Sequence, residues 1–433
     1  MKLYIYIIII FLVSCKKPND PITTDHIASF VAHLNTYGEA LDTDLTSDNM
    51  VVAANYQGFI VYDLERNDQG HIIAIDSIYN DSDMDPSMGD NRAQEIVISQ
   101  NHNIAFITDI YDRIWLYKLG ENSLQYADNY LEDCVGGTWL STAIDDQSDH
   151  INVFSLVKHI SSESDADTTV GDFDEYSTSV VWKGLYDVNP EDLLPEDNAF
   201  PSCEFSYNFG VLPEKIDFNN GLLAVSNGEL GVKVLKQSDQ IGCFDNQGQL
   251  IEEFDPIEEY DCDFSGENNK NVCEANPWDD FDGDYYPDCP DGFNGAYVSV
   301  GGFYPYVYSS FDMPGEINSL LVRNSIIFTG LSTSNGCYMS LLDSSGVVVD
   351  NLSLANGYTI NNISEDNGII ALSAGHDGVL LYRHYQNFDD ENDLLGPVSF
   401  IGQIDVPYSN NVRVDGDNLI ISTEDGIYLY LIK

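Results

Sequence analysis

The chain has 433 residues, 43% of them hydrophobic and 12% aromatic, which excludes wholesale disorder and allows a large core or several domains. With 17 basic against 72 acidic residues the formal charge is -55, so nucleic-acid phosphates and anionic lipid faces would be repelled over most of the surface. Cations are the natural counterparts.

The chain opens on Lys2, an uninterrupted apolar run from Leu3 to Val13, and Ser14-Cys15. Such a start reads as a secretory signal over residues 1–14; the run is shorter than the roughly 20 apolar residues needed to span a bilayer. Leu12-Val13-Ser14-Cys15 resembles the bacterial lipobox, which implies cleavage before Cys15 and lipid attachment to it. Among Gram-negative lipoproteins, Lys16 after the cysteine implies the outer membrane or cell surface. Residues 15–24 form a polar tether that could reach only roughly 30 Å fully extended. Outside the cytoplasm disulfides persist, and the seven remaining cysteines leave at least one unpaired or bonded to another chain.

Beyond the tether, runs of four to seven residues rich in Val, Ile, Tyr and Leu recur between Gly, Asn and Asp clusters, the pattern of short strands. The clearest unit is NGIIALSAGHDGVLLY, Asn367 to Tyr382, an apolar run, a small Gly-containing turn and a second run. Further copies begin at Asn49, Asn103, Asn220, Asn324 and Asn418, and a looser one pairs HINVFSLVKHI with STSVVWKGL across the acidic stretch 161–176. Short strands precede most copies (Ala93 to Ser99, Lys215 to Phe218, Val412 to Val414) and follow most (His71 to Ile78, Val347 to Leu354, Pro397 to Val406). The second strand of each unit is apolar without alternation, as a strand covered on both faces should be. Residues 25–433 are therefore expected to form an all-β, seven-bladed β-propeller of four-stranded antiparallel blades. The last copy ends at Lys433 after its third strand; Ser29 to Leu34 matches Ser399 to Ile404 in residue type, so an N-terminal strand should complete the last blade.

The copies resemble the LVIVD-repeat β-propellers of bacterial cell-surface proteins, through elements such as GFIVYDL, GVKVLKQ, GVLLYRH and GIYLYLI. The tidy VD-Pro repeat endings of that family are missing. The resemblance implies a binding or scaffolding surface and transfers no catalytic residue.

The longest interruption, residues 237–294, splits the third and fourth strands of the fourth repeat. Within it, Asp280, Asp282, Asp284, Asp288 and Asp291 occupy positions 1, 3, 5, 9 and 12 of a loop, with the Tyr286 carbonyl at position 7. Alternate side chains of a tight loop converge on one point, and calcium takes six to eight oxygens, so calcium is the expected cofactor. The run also looks like a thrombospondin type 3 repeat, which implies the same aspartates as ligands, although Tyr285 stands at position 6 where glycine is usual. Asp261 and Asp263 could serve a second ion; Asp81, Asp83 and Asp85 read as an exposed loop. An insertion with few large aliphatics cannot build its own core, so disulfides are expected among Cys243, Cys262, Cys273 and Cys289, with Cys134 and Cys203 as a further candidate pair.

No His-Glu-x-x-His run, Gly-x-Ser-x-Gly elbow or phosphate-cradling glycine loop occurs. His376 and His384 read as turn or surface residues. Alternating Tyr304, Tyr306 and Tyr308 could present a sugar-binding edge but read more simply as blade-edge packing. The sequence thus points to a non-enzymatic, membrane-tethered binding or scaffolding module whose partner is a surface protein or glycan, not a nucleic acid. Its alternative is a calcium-dependent propeller hydrolase acting on a phosphate ester, lactone or glycan, with carboxylates and histidines from several blades around the central channel.

Overall fold

A computed structural model describes residues 27–433 except 37, 55–57, 82–92, 110–113, 120–122, 127–137, 147–149, 159–177, 187–204, 211–213, 229–230, 238–241, 246–249, 254–294, 299–306 and 386–394. Its described strands form seven four-stranded antiparallel sheets and one three-stranded sheet. The innermost strands of the seven are, in order, Ala40–Leu45, Ala93–Ser99, Thr138–Asp146, Ile216–Asn219, Ile317–Arg323, Asn362–Asp366 and Ser409–Asp415. Each packs on the next, and Ser409–Asp415 returns to Ala40–Leu45, so the ring is closed. We number the sheets 1 to 7 in that order.

Sheet 6 shows how the sequence builds one unit. Asn362–Asp366, Ile369–Ser373, Val379–His384 and Val398–Ile404 pair successively in antiparallel register. The first hairpin turns at Asn367 and Gly368, with φ of 50° and 76°. Two left-handed residues in a two-residue turn are the type I′ geometry whose twist matches the strands, and Asn and Gly adopt it at least cost. The same pair recurs at Asn220-Gly221, and Asn103 and Asn324 are also left-handed; hence the repeated unit so often starts on Asn. Ile369–Ser373 is buried at every position, as are Leu222–Ser226 and Ile326–Leu331. Their two faces enter two different hydrophobic cores. Ile370 and Leu372 pack with Phe328 and Met339 of sheet 5, whereas Ile369 and Ala371 pack with Val412 and Ile421 of sheet 7.

The ends of the chain meet in sheet 7, where Ala28–Leu34 pairs with the last strand, Gly426–Ile432, from Ala28 opposite Ile432 to Leu34 opposite Ile427. Lys433 N–H donates to the Ile27 carbonyl at 2.9 Å. The outer edge of the last sheet is thereby supplied from the first residues of the fold, leaving the ring without an open end.

In sheet 4 the third strand, Val232–Lys236, pairs with Ser309–Phe311, so the interruption opens after Lys236 and closes only before Ser309. Three of its segments, Gly242–Asp245, Leu250–Glu253 and Gly295–Val298, form the separate three-stranded sheet. Among the described residues no helix is long and apolar enough to cross a membrane.

The candidate axial site

Inner strands of a ring have one side without a strand partner, and in this protein side chains of each sheet reach to the backbone of the next. Asp42 Oδ2 accepts Ile96 N–H at 2.8 Å, and Asp44 Oδ2 accepts Ile98 N–H at 2.9 Å. Glu95 Oε2 accepts Thr142 N–H at 3.0 Å, and Asp217 Oδ2 accepts Val322 N–H at 2.6 Å. Between sheets 6 and 7, Asn362, Ser364 and Asp366 accept Val412, Val414 and Gly416 N–H in turn. An unpaired buried amide costs about 1–3 kcal/mol, so these acceptors act as fasteners between neighbours.

The same strands enclose an axial cavity of about 180 Å³, lined by residues of all seven sheets. Its charged lining consists of Asp42, Glu95, Lys215, Asp217 and Arg413. Lys215 Nζ donates to Glu95 Oε1 at 3.2 Å, and Glu95 Oε1 also accepts Ser141 Oγ at 3.1 Å. Lys215 retains 39% of its side-chain surface although protein surrounds it, because it fronts the cavity. Arg413 Nε donates to the Thr43 carbonyl at 2.8 Å and lies 3.8 Å from Asp44 Oδ1.

Burial makes two of these carboxyls weaker acids: the pKa of Asp42 is pushed up by desolvation, against the opposing Arg413 charge, and that of Asp217 by desolvation, against Arg323. Glu95 holds the Lys215 ammonium above its ordinary value against the opposite pull of burial. Burial would lower Arg413, but Asp44, Asp42, Asp217 and Glu95 together hold it above its usual range.

No described histidine lines this cavity. His376, in the turn of sheet 6, is exposed and lies edge-on to Tyr408 with centroids 4.7 Å apart. His384 departs from the surface or turn position expected of it: it ends the strand Val379–His384, is buried to 8% exposure, and its Nε2 has no hydrogen-bond partner among the described residues. Desolvation lowers its pKa. Ser99, His102 and Asp146 come together elsewhere, but Ser99 Oγ donates to Asp146 at 2.6 Å while His102 Nδ1 faces both. In a catalytic triad the imidazole bridges serine and carboxylate through opposite nitrogens; this cluster is a turn fastening instead.

Tyr308 is half-buried, with its hydroxyl on the Asp343 carbonyl at 3.0 Å and Lys236 over its ring, which is a packing role. Tyr304 and Tyr306 lie outside the described residues. So do Cys15, Cys134, Cys203, Cys262, Cys273 and Cys289, the calcium-loop positions Asp280, Asp282, Asp284, Tyr286, Asp288 and Asp291, and Asp261, Asp263, Asp83 and Asp85. Cys243 has a described backbone only, in the insertion sheet. Cys337 is a free, fully buried thiol. Among the described residues no group of three or more His, Cys, Asp or Glu is placed to hold a metal.

The sequence motifs missed the axial cluster, whose five members are spread over four different sheets. Its signal was present as charge within inner strands that also carry apolar residues, Asp42 and Asp44 in ALDTDL and Glu95 in AQEIVIS.

No protein-family model and no curated protein matches the sequence. Among solved structures the chain is similar to that of U3-55K (TM-score 0.50, 10% identity, 95% of this chain and 100% of that one) and to the RRP9 WD40 repeats (TM-score 0.50, 10% identity, 96% and 99%). At that identity the likeness concerns the fold alone: this chain is a β-propeller.

Proposed function

We propose that this protein is a membrane-tethered propeller that binds and does not catalyse, with the axis and the loops around it as its binding centre. The observation that carries this reading is the state of the axial carboxylates. Asp42, Glu95 and Asp217 each accept a backbone amide of the following sheet, Glu95 is further engaged by Lys215, and no described histidine accompanies them. A general base or acid needs an oxygen free to exchange a proton with substrate, and these groups are occupied as fasteners. The likeness to WD40 repeats supports the propeller architecture on which a scaffolding role would be built.

The tether in this reading is the lipobox-like Leu12 to Cys15, and the insertion is stapled by calcium at Asp280, Asp282, Asp284, Asp288 and Asp291, a ligand set that rests on the sequence spacing. The repeat elements ending in GVLLYRH and GIYLYLI support kinship with the LVIVD-repeat proteins. Cross-linked pull-down from intact cells should recover a surface protein or glycan dependent on the propeller; hydrolysis of a phosphate ester, lactone or glycan that is lost in Glu95→Gln would replace this reading with the hydrolase one. Cys15→Ser should release the protein from membranes, and unchanged fractionation would remove the lipid anchor from the proposal.

A further inference from the structure

The lining of the axial cavity has hydrogen-bonding capacity of both signs left over. Arg413 carries five N–H donors in a planar fork, and among the described residues its one hydrogen bond is from Nε to Thr43. Lys215 has three donors and, among the described residues, a single bond, to Glu95. On the acceptor side, Asn411 spends its amide nitrogen on Asp42 Oδ1 at 2.6 Å, and its Oδ1 is buried with no partner among the described residues, in a residue 5% exposed. The amide nitrogens of Asn361 and Asn410, also on the lining, are committed to Ser409 O and Ala40 O, which leaves carbonyl oxygens as what these side chains can offer. Asn411 and Arg413 stand two apart on one strand, so their side chains leave the same face, roughly 7 Å apart along it.

From this arrangement the geometry points to a small zwitterion of the α-amino-acid class as the occupant of the cavity, its carboxylate on the Arg413 fork and its ammonium on Asn411 Oδ1. Two electrostatic arguments select a ligand bearing both charges. A chain of charge -55 opposes the approach of a small anion alone. On the lining Lys215 and Arg413 stand among the carboxylates of Asp42, Glu95 and Asp217, so groups of both signs face the cavity. A neutral zwitterion avoids the long-range penalty on an anion and uses both kinds of unspent group. Size agrees: at ~30 Å³ per water-sized unit, 180 Å³ accommodates about six such units, the scale of a small amino acid.

The inference rests on the axis being a binding centre, and it adds the ligand class. Its test is calorimetric titration of the full chain with each of the twenty L-amino acids, and with acetate and methylammonium at matched ionic strength. At least one amino acid should bind at one per chain while both single-charge probes fail. Asn411→Ala and Arg413→Gln should each weaken that binding at least tenfold, with folding checked by circular dichroism. Should Arg413→Gln not fold, Asn411→Ala, which keeps the Arg413 contacts with Thr43 and Asp44, carries the test by itself. No binding by any amino acid, equal binding of acetate or methylammonium, or undiminished binding by Asn411→Ala overturns the inference. Partner capture from cells that persists alongside a negative titration would retain the binding reading and discard only the zwitterion.

Discussion

Arg413 Nε donates to the carbonyl of Thr43, 2.8 Å away in space and 370 positions earlier in the chain. The contact joins sheet 7 to sheet 1 at the axis and sets the guanidinium beside Asp44. It lies at the same junction as Thr43 Oγ1 and Ser422 Oγ, 2.7 Å apart. Ring closure is therefore made twice over, by strand exchange at the outer edge of sheet 7 and by side chains at the axis.

Arg413→Met should test the inner closure. Removing one member of a buried charge cluster leaves Asp42 and Asp44 uncompensated, and breaking a buried pair in this way costs roughly 3–5 kcal/mol. Urea unfolding should show a loss of that order, and a change under about 1 kcal/mol, the scale of an exposed pair, would show that the cluster contributes little to closure.

Asp217→Ala should leave Val322 N–H without its acceptor, at a cost of about 1–3 kcal/mol. Hydrogen exchange reads the cause directly. The Val322 amide should lose protection, while amides paired within sheet 6, such as that of Leu372, keep theirs.

The pH dependence of stability follows from the raised Asp42 carboxyl. Below the ordinary aspartate value of 3.8 the group is protonated in both folded and unfolded chains, and its favourable contribution is fully present. As pH rises from there through the raised folded value, the unfolded chain releases the proton first, and that contribution is lost. Asp42→Asn cannot titrate, so its stability relative to wild type should improve over this rise; parallel curves of unfolding midpoint against pH would contradict the assignment.

Gly378 has φ of +70°, and a Cβ there would sit 2.1 Å from the Ile404 carbonyl oxygen. Gly378→Ala should cost more than about 1 kcal/mol, because both conformation and space refuse the methyl. Gly416, also left-handed but with nothing within 4 Å of where a methyl would sit, is the control: its alanine variant should lose less, measured as the difference in melting temperature.

The Cys337 thiol is fully buried, and burial pushes its pKa far above the ordinary value. Thiolate is the reactive species, so alkylation of the native protein followed by peptide mass spectrometry should find Cys337 unlabelled, with labelling only after denaturation. Labelling in the native state would show local opening of sheet 5.

Strand order and pairing could be read from residues close together in the chain. The apolar run Ile369–Ser373 announces burial on both faces, Asn367-Gly368 announces a tight hairpin, and the kinship of Ser29 to Leu34 with Ser399 to Ile404 announces the exchanged outer strand. These are local facts: side-chain period, left-handed turn residues and strand-edge composition operate within a few residues, so sequence by itself determined the propeller and the N-terminal closure. The axial cluster is different. Asp42, Glu95, Lys215, Asp217 and Arg413 share no spacing, because a ring gathers one or two residues from each inner strand regardless of the chain between them. Burial of His384, at the end of its strand, was likewise hidden. Only the closed tertiary structure decided which charges face one another, for Coulomb energy depends on distance in space, and at the axis residues separated by hundreds of positions become neighbours.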